Sequence, residues 1–419
     1  MSETPPEARS SPRVAAPVSE SGRIHAIDSL RGFAVLGILI VNIWSFAWVS
    51  SAYRNPSSAP GGGIGGTDFW IWAAVNVFAD TKFISIFSLL FGAGIAMMSE
   101  RMDRRGIPGG RLHYRRQFWL LVIGLLHAYG IWHGDILVPY ALCGFILYGF
   151  RGWAPRRLLW AGGCAVGIVV LVMGLADWSI PYWPAGDRAE VAAQWAPSAA
   201  EIGAEIEAMR GGWAQQMPVR AYYAFLVETV AFAGYLVWRA GGLMLVGMAL
   251  YKLGVLSARW PASFYRRLVL WGLGLGLPLA AAGVWYNVEA GFAWEQSKLG
   301  GTLFNYVGSV GVFLGYVGLV MLLARTGRLA RARLRLAAVG RMAFTNYIAQ
   351  SVLCSLVFYG HGLGLFERVG GAGCVGIVVA IWGLQLAWSP WWLARFRFGP
   401  LEWLWRTLSY GQRQPMRIA

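Results

Sequence analysis

The sequence predicts an all-α fold, a polytopic transmembrane helical bundle of about ten spans with both termini cytoplasmic. Three observations predict it. The 419 residues are 57% hydrophobic and only 13% charged, with 23 tryptophans and a mean hydropathy of +0.50. That is more apolar material than a soluble core of this size takes up. Apolar runs of roughly 17–25 residues, each long enough to cross a bilayer, recur along the whole chain. The basic residues are also unevenly distributed between the runs.

The runs place spans at 31–50, 69–99, 117–133, 135–150, 158–176, 222–251, 268–287, 302–324, 339–358 and 372–394. The second and sixth are too long for simple upright spans, so each is either tilted or an outer interfacial piece joined to a span. With an inward N-terminus and alternating spans, the cytoplasmic segments hold 28 of the 36 basic residues and the outer loops hold six. Lys82 and Arg239 remain inside spans. Such a bias is the positive-inside pattern, and it supports an even count with inward termini. It also accounts for the net charge of +16 without nucleic acid. The basic loops are short and scattered, as expected of segments facing anionic headgroups, so membrane lipids and not nucleic acid are the expected polyanionic partner.

The remaining segments say less. Residues 1–22 are rich in Pro, Ser, Glu and Ala and read as a disordered cytoplasmic tail, not a signal peptide. Residues 23–410 form a single integral membrane domain and 411–419 a short cytoplasmic tail. The outer loop 177–221 is acidic and Trp-bearing, and "AAEIGAEIEAMR" within it predicts a short helix. "GGGIGG" at 61–66 reads as a flexible outer loop. The four cysteines match no metal spacing and no disulfide framework. "FSLLFGAG" and "GLGLG" supply small residues for close helix packing.

Polar residues at membrane depth carry the functional signal, because a charge in hydrocarbon is expensive and is kept for a pathway, a pair or a site. At about 1.5 Å per residue, His127 falls near the midplane of the third span and Asn42 near the middle of the first. His133 and Asp135 fall at the outer turn in "LLHAYGIWHGDILVPY". Lys82, Asp80, Arg239 and Glu228 fall in the outer half. A second group, Asp28, Arg31, Arg341, Glu402 and Arg406, falls at the inner face. Each has a structural reading beside the functional one. Asp135 can simply cap the fourth helix after Gly134. His127 can be a hydrogen-bonded packing residue, and His133 an interfacial one. Lys82 with Asp80, or Arg239 with Glu228, can tie long helices together. Asp28 and Arg31 can anchor the first span at the headgroups. On one continuous helix His127 and Asp135 would lie about 12 Å apart, so they cooperate only if the chain reverses near Gly134.

The opening "RIHAIDSLRGFAVLGILIVN" resembles the D-x-x-R-G start of the transmembrane acyltransferase superfamily. Together with "KFISIFSLLFGAGIAMM", "GLLHAYGIWHGDILVPYAL", "GRMAFTNYIAQS" and "FGPLEWLWRTLSY", it resembles the YeiB-like, DUF418-type membrane proteins. The likeness runs from Arg23 to Tyr410. It implies a multi-pass protein of the bacterial inner membrane, related to enzymes that move acyl groups from cytoplasmic donors to acceptors across the membrane. The residues shared with the family fall on Asp28, Arg31, Gly32, Asn42, Lys82, His127, Asp135, Arg341, Asn346, Glu402 and Arg406. His133 stands at a position where variation, often to an acid, is expected.

These observations lead to one expectation and two rivals. The expectation is acyl transfer from an acyl-CoA-type co-substrate to a hydroxyl or amine of a small-molecule, glycan or lipid acceptor. His127, Asp135 and Lys82 would be the catalytic set. Asp28, Arg31, Asn42, Arg341, Asn346, Glu402 and Arg406 would line the donor side, with guanidinium groups on phosphate. No metal and no permanently bound cofactor is expected, and a homo-oligomer fits the class. One rival is a transporter or exporter of a small amphipathic compound that uses the same buried charges. The other is a non-catalytic scaffold, which would not need Lys82, His127, Asp135 and Arg239 at depth.

Overall fold

The computed structural model describes residues 24–58 and 66–418. The tail 1–22 and most of "GGGIGG" lie outside the described residues. The described chain is helical: α1 His25–Ala47, α2 Gly66–Phe78, α3 Lys82–Arg104, α4 Gly110–Gly130, α5 Leu137–Leu147, α6 Pro155–Ser179, α7 Ala185–Trp195, α8 Ala199–Arg210, α9 Met217–Leu226, α10 Val237–Lys252, α11 Ala262–Glu289, the single turn α12 Trp294–Gln296, α13 Thr302–Thr326, α14 Ala330–Arg341, α15 Ala343–Phe358, α16 Gly371–Leu393 and α17 Pro400–Tyr410. Among the described residues, seven segments are long and apolar enough to cross a membrane: 25–47, 66–104, 155–182, 217–252, 262–289, 294–326 and 371–393. Leu137–Phe150 and Ala343–Phe358 are apolar but shorter. The chain is an all-α, multi-pass membrane protein.

Both over-long segments depart from a simple α-helix. The second breaks between α2 and α3, where Thr81 takes a left-handed conformation (φ 66°) that ends one helix and starts the next. The sixth is continuous but carries a π-helical stretch, Val227–Leu236, between α9 and α10. In the loop 177–221, α8 occupies Ala199–Arg210 as the sequence predicts. It is opened by a capping box in which Ser198 and Glu201 satisfy each other's backbone N–H groups. The helix α7 before it has no counterpart in the sequence reading.

Close helix crossings hold the bundle. Gly92 and Gly247 meet where α3 and α10 cross. A methyl on either would run into the other helix's backbone, at Met244 or Leu89. Gly32 of the D-x-x-R-G motif and Gly340 play the same part between α1 and α14, so the motif's glycine is a packing residue. "GLGLG" packs through Gly272 and Gly276 against α13, while Gly274 faces open space.

The basic segments gather at one face. Tyr251 at the end of α10 donates to Glu100 of α3, Lys252 to the Arg151 carbonyl, Ser29 to the Arg333 carbonyl, and Arg115 of α4 to the Leu408 carbonyl of α17. At the far face, Ser50 bonds Glu205, Val49 bonds Glu367, and Arg210 bonds the Phe366 carbonyl. A second core cluster there packs Phe46, Trp48, Met209, Tyr359 and Phe366 around Trp132.

Candidate active site

The helix α4 ends at Gly130 and α5 begins at Leu137, so the chain does reverse across 131–136. Gly134 permits the turn, because a methyl there would collide with the Trp132 indole. The backbone N–H groups of Ile131 and Trp132 both close onto the His127 carbonyl. The reversal carries Asp135 back beside His127. Nδ1 of His127 and Oδ1 of Asp135 lie 2.7 Å apart, with both side chains almost completely buried. The other carboxylate oxygen accepts the Val138 backbone N–H at 2.7 Å, in the first turn of α5. Asp135 therefore bonds both the first turn of α5 and the imidazole. A carboxylate can only accept, so the proton between them belongs to Nδ1, and in the neutral imidazole the lone pair is on Nε2.

That Nε2 is buried and has no hydrogen-bond partner. The Trp132 Nε1 and His133 Nδ1 beside it are in the same condition. The three rings are neighbours, with His127 to Trp132 centroids 6.3 Å apart and Trp132 to His133 centroids 6.0 Å apart. Tyr347 of α15 lies against the imidazole at 5.3 Å. Native interiors pair nearly all buried polar atoms, so a group of orphans marks a place for water or a ligand. His133 is held more loosely, with Nε2 3.4 Å from Ser45 Oγ on α1 and its ring 5.3 Å from Tyr223. Asn42 sits half-buried one turn before Ser45.

Above the turn, Arg220 is fully buried without a carboxylate partner among its described bonds. It donates to the carbonyls of Gly130 (3.1 Å) and Trp213 (2.8 Å), and Trp213 Nε1 also reaches the Gly130 carbonyl at 2.8 Å. The end of α4 is thus clamped from the outer loop. Nothing in the local pattern separates Arg220 from the other loop arginines. Tyr347 and Trp132 look, in the sequence, like ordinary core aromatics.

Lys82 belongs to a different network. It is buried at the start of α3 and donates to the Asn76 carbonyl at 2.6 Å and to Asn305 Oδ1. Asn305 Nδ2 in turn donates to Asp80 Oδ2 at 2.8 Å, and Tyr53 donates to Asp80 Oδ1. Lys82 and Asp80 are therefore joined through an amide instead of in direct contact. Arg239 is not paired with Glu228. It donates to Ser309 Oγ (2.7 Å) and Ser85 Oγ (3.1 Å) and lies 4.2 Å over the Tyr306 ring. Glu228 accepts from Tyr129 at 3.1 Å. None of these bonds reaches His127 or Asp135.

The inner group divides likewise. Arg31 and Asp28 pair with each other at 3.0 Å on successive turns of α1. Glu402 accepts the backbone N–H groups of Phe344 (2.7 Å) and Thr345 (3.1 Å) and the Thr345 hydroxyl, so it caps α15 from α17. Asn346 is buried between α14, α15 and α16, donating to the Val339 carbonyl and Ser389 Oγ and accepting from Trp388. Arg406 stacks on Phe398, and the Arg341 Nε is buried at the end of α14. Glu402 and Asn346 have fully formed structural duties, which explains their place in the motifs without a donor.

Residues 250–412 match the family described as "Protein of unknown function (DUF418)". The chain is 32% identical to the uncharacterized protein YeiB of Escherichia coli (strain K12) over 91% of its own length and 95% of that protein's. It is also 32% identical to the uncharacterized protein YxaH of Bacillus subtilis (strain 168), over 96% and 97% of the two chains. No solved structure matches it.

Proposed function

The chain belongs to the DUF418 family of YeiB-like membrane proteins, and from that premise we propose that it is a bacterial inner-membrane acyltransferase with His127 as general base and Asp135 as the group that orients it. The carrying observation is the buried imidazole whose Nδ1 is fixed on Asp135 while Nε2 has no partner. A general base needs a held tautomer and an open lone pair. Packing alone needs neither.

In this reading an acceptor hydroxyl or amine enters the group of orphaned atoms and gives its proton to His127 Nε2. Its oxygen or nitrogen attacks the thioester carbonyl of an acyl-CoA-type donor. The carbon–sulfur bond breaks as the new acyl bond forms, and the imidazolium returns the proton to the departing thiolate. Asp135 stabilises the transient imidazolium. The indole N–H of Trp132 is available to the developing oxyanion. Gly110 to His127 is about 25 Å along the axis of α4, so a donor held at the basic face extends along the bundle to deliver its acyl group. The acceptor approaches from the far side. Lys82 stays in its own network and supports the bundle.

The test is acyl transfer by purified protein, followed with labelled acetyl-CoA and an acceptor mixture from the cell envelope. Turnover that disappears in folded His127→Gln supports the reading. Solute flux in proteoliposomes without turnover would replace it with the exporter reading.

A further inference from the structure

The basic face carries a cavity of about 580 Å³ that the chemistry at His127 does not use. Its wall joins the end of α3 to the segment after α5 and to the end of α10 with its following turn. Four basic side chains, Arg104, Arg151, Lys252 and Arg259, face two acidic ones, Glu100 and Asp103. Glu100 is already engaged, accepting from Arg104 and from the Tyr251 hydroxyl at 2.8 Å. Lys252 and Arg151 are positioned by carbonyls and a ring. Lys252 donates to the carbonyls of Arg151 (2.6 Å) and Trp153 (2.7 Å), which leaves its third N–H. Arg151 lies 4.1 Å over the Tyr148 ring and gives one N–H to the Tyr148 carbonyl at 3.2 Å. These contacts fix the cations in place without neutralising them. By contrast Arg31, a phosphate ligand by sequence, is paired with Asp28.

We infer that this cavity is a binding site for the phosphate groups of a soluble nucleotide-type anion, which, on the acyl-transfer reading, is the nucleotide end of the donor. Fixed guanidinium and ammonium groups pair well with phosphate oxygens. Tyr251 adds an aromatic wall. An anionic lipid headgroup offers the same phosphate chemistry, so the experiment separates the two.

The experiment uses the full-length protein in nanodiscs of zwitterionic lipid, with CoA and adenosine 3′,5′-bisphosphate as calorimetric probes. Both should bind the wild type. The double variant Arg151→Gln/Arg259→Ala should weaken them about ten- to a hundredfold, the effect of losing charge-assisted hydrogen bonds. Arg31→Ala should leave affinity nearly unchanged. Arg259 is exposed, so Arg259→Glu alone supplies a folded variant if the double one does not fold, and it too should weaken binding. Equal affinity in wild type and variants overturns the site. So does a lack of soluble-probe binding in neutral lipid together with specific phosphatidylglycerol binding at these arginines. CoA binding without turnover would keep the site and remove the acyl-transfer reading. Turnover unaffected by the cavity variants would do the reverse.

Discussion

Two buried polar regions lie in the far half of the bundle, and they are built on opposite terms. Around Lys82 and Arg239, hydroxyls, amides and carbonyls accept from the cations, and the link to Asp80 runs through Asn305. Around His127 the pairing stops halfway. Asp135 is used on both oxygens, but Nε2 of His127, Nε1 of Trp132 and Nδ1 of His133, on neighbouring rings, are left without partners. Burial depth alone does not distinguish the two. Arg239 Nε and Thr81 Oγ1 lack partners too; what differs is that the cations of the first region each donate to several acceptors, whereas the second leaves an unpartnered nitrogen on each of three neighbouring rings, capacity that a reactant can take up.

The sharpest test of that difference is His127→Gln. The amide fills similar space and keeps a hydrogen bond to Asp135, but it cannot take a proton. Turnover should fall about 10²–10⁴-fold, the usual share of a general base, with the melting temperature nearly unchanged. Asp135→Asn keeps an acceptor for the Val138 N–H and should lose less. A folded His127→Gln variant with near-normal turnover would erase the distinction between the two regions.

Lys82→Met addresses the other side. It strands the Asn305 side-chain oxygen and the Asn76 carbonyl, so stability should drop by about 1–3 kcal/mol, the penalty for buried unpaired acceptors. Activity per folded molecule should hold. The reverse pattern, full stability with lost turnover, would move Lys82 into the chemistry and break the comparison.

How much of this was legible beforehand follows from the range of the interactions. Helix positions came from apolar runs, a local property, and hold to within a few residues, as with 135–150 against Leu137–Leu147 for α5 and 158–176 against Pro155–Ser179 for α6; of the ten runs read as spans, those at 117–133, 135–150 and 339–358 are not among the seven described segments long and apolar enough to cross. The pairing of His127 with Asp135 was readable only as a condition, that the chain reverse at Gly134. Composition could not measure the turn. Arg239 with Glu228 shows the limit. Both fall in the outer half by sequence, but they lie eleven residues, about 16 Å, apart along one helical segment, and serines on α3 and α13 take the guanidinium while Tyr129 on α4 takes the carboxylate. Which helices become neighbours is decided by close glycine crossings such as Gly92 with Gly247, and no single segment encodes that. Glu402 and Asn346 illustrate the same point, since a cap on another helix and a three-helix hub have no local pattern.

A smaller effect is expected from the cover over the active turn. Arg220→Ala removes one clamp on the Gly130 carbonyl, but Trp213 keeps the other at 2.8 Å. The turn should loosen without opening. Turnover should fall about tenfold through misplacement of the imidazole, with no change in the contribution of Lys82 to stability. An Arg220→Ala loss equal to that of His127→Gln would mean that the guanidinium touches the reactants.

The smallest effect concerns pH. Glu367 lies in the same cover, with its carboxylate 2.6 Å from the Val49 backbone nitrogen. Burial pushes its carboxyl up from the ordinary 4.5 to about 7; the Val49 N–H pulls it back, Glu205 adds to the rise and Arg210 opposes it. A carboxyl raised in the folded state binds its proton more tightly there than in the unfolded chain. Its contribution to stability is therefore complete below the ordinary value and is lost as pH rises through about 7. The melting temperature should decline gently between about pH 5 and about pH 8, and Glu367→Gln should flatten that slope while leaving His127-dependent turnover intact. Glu205 is raised by burial as well and is held by Ser50, so Glu205→Gln should remove part of any slope that survives. If the decline persists unchanged in both variants, the titration lies outside the cover.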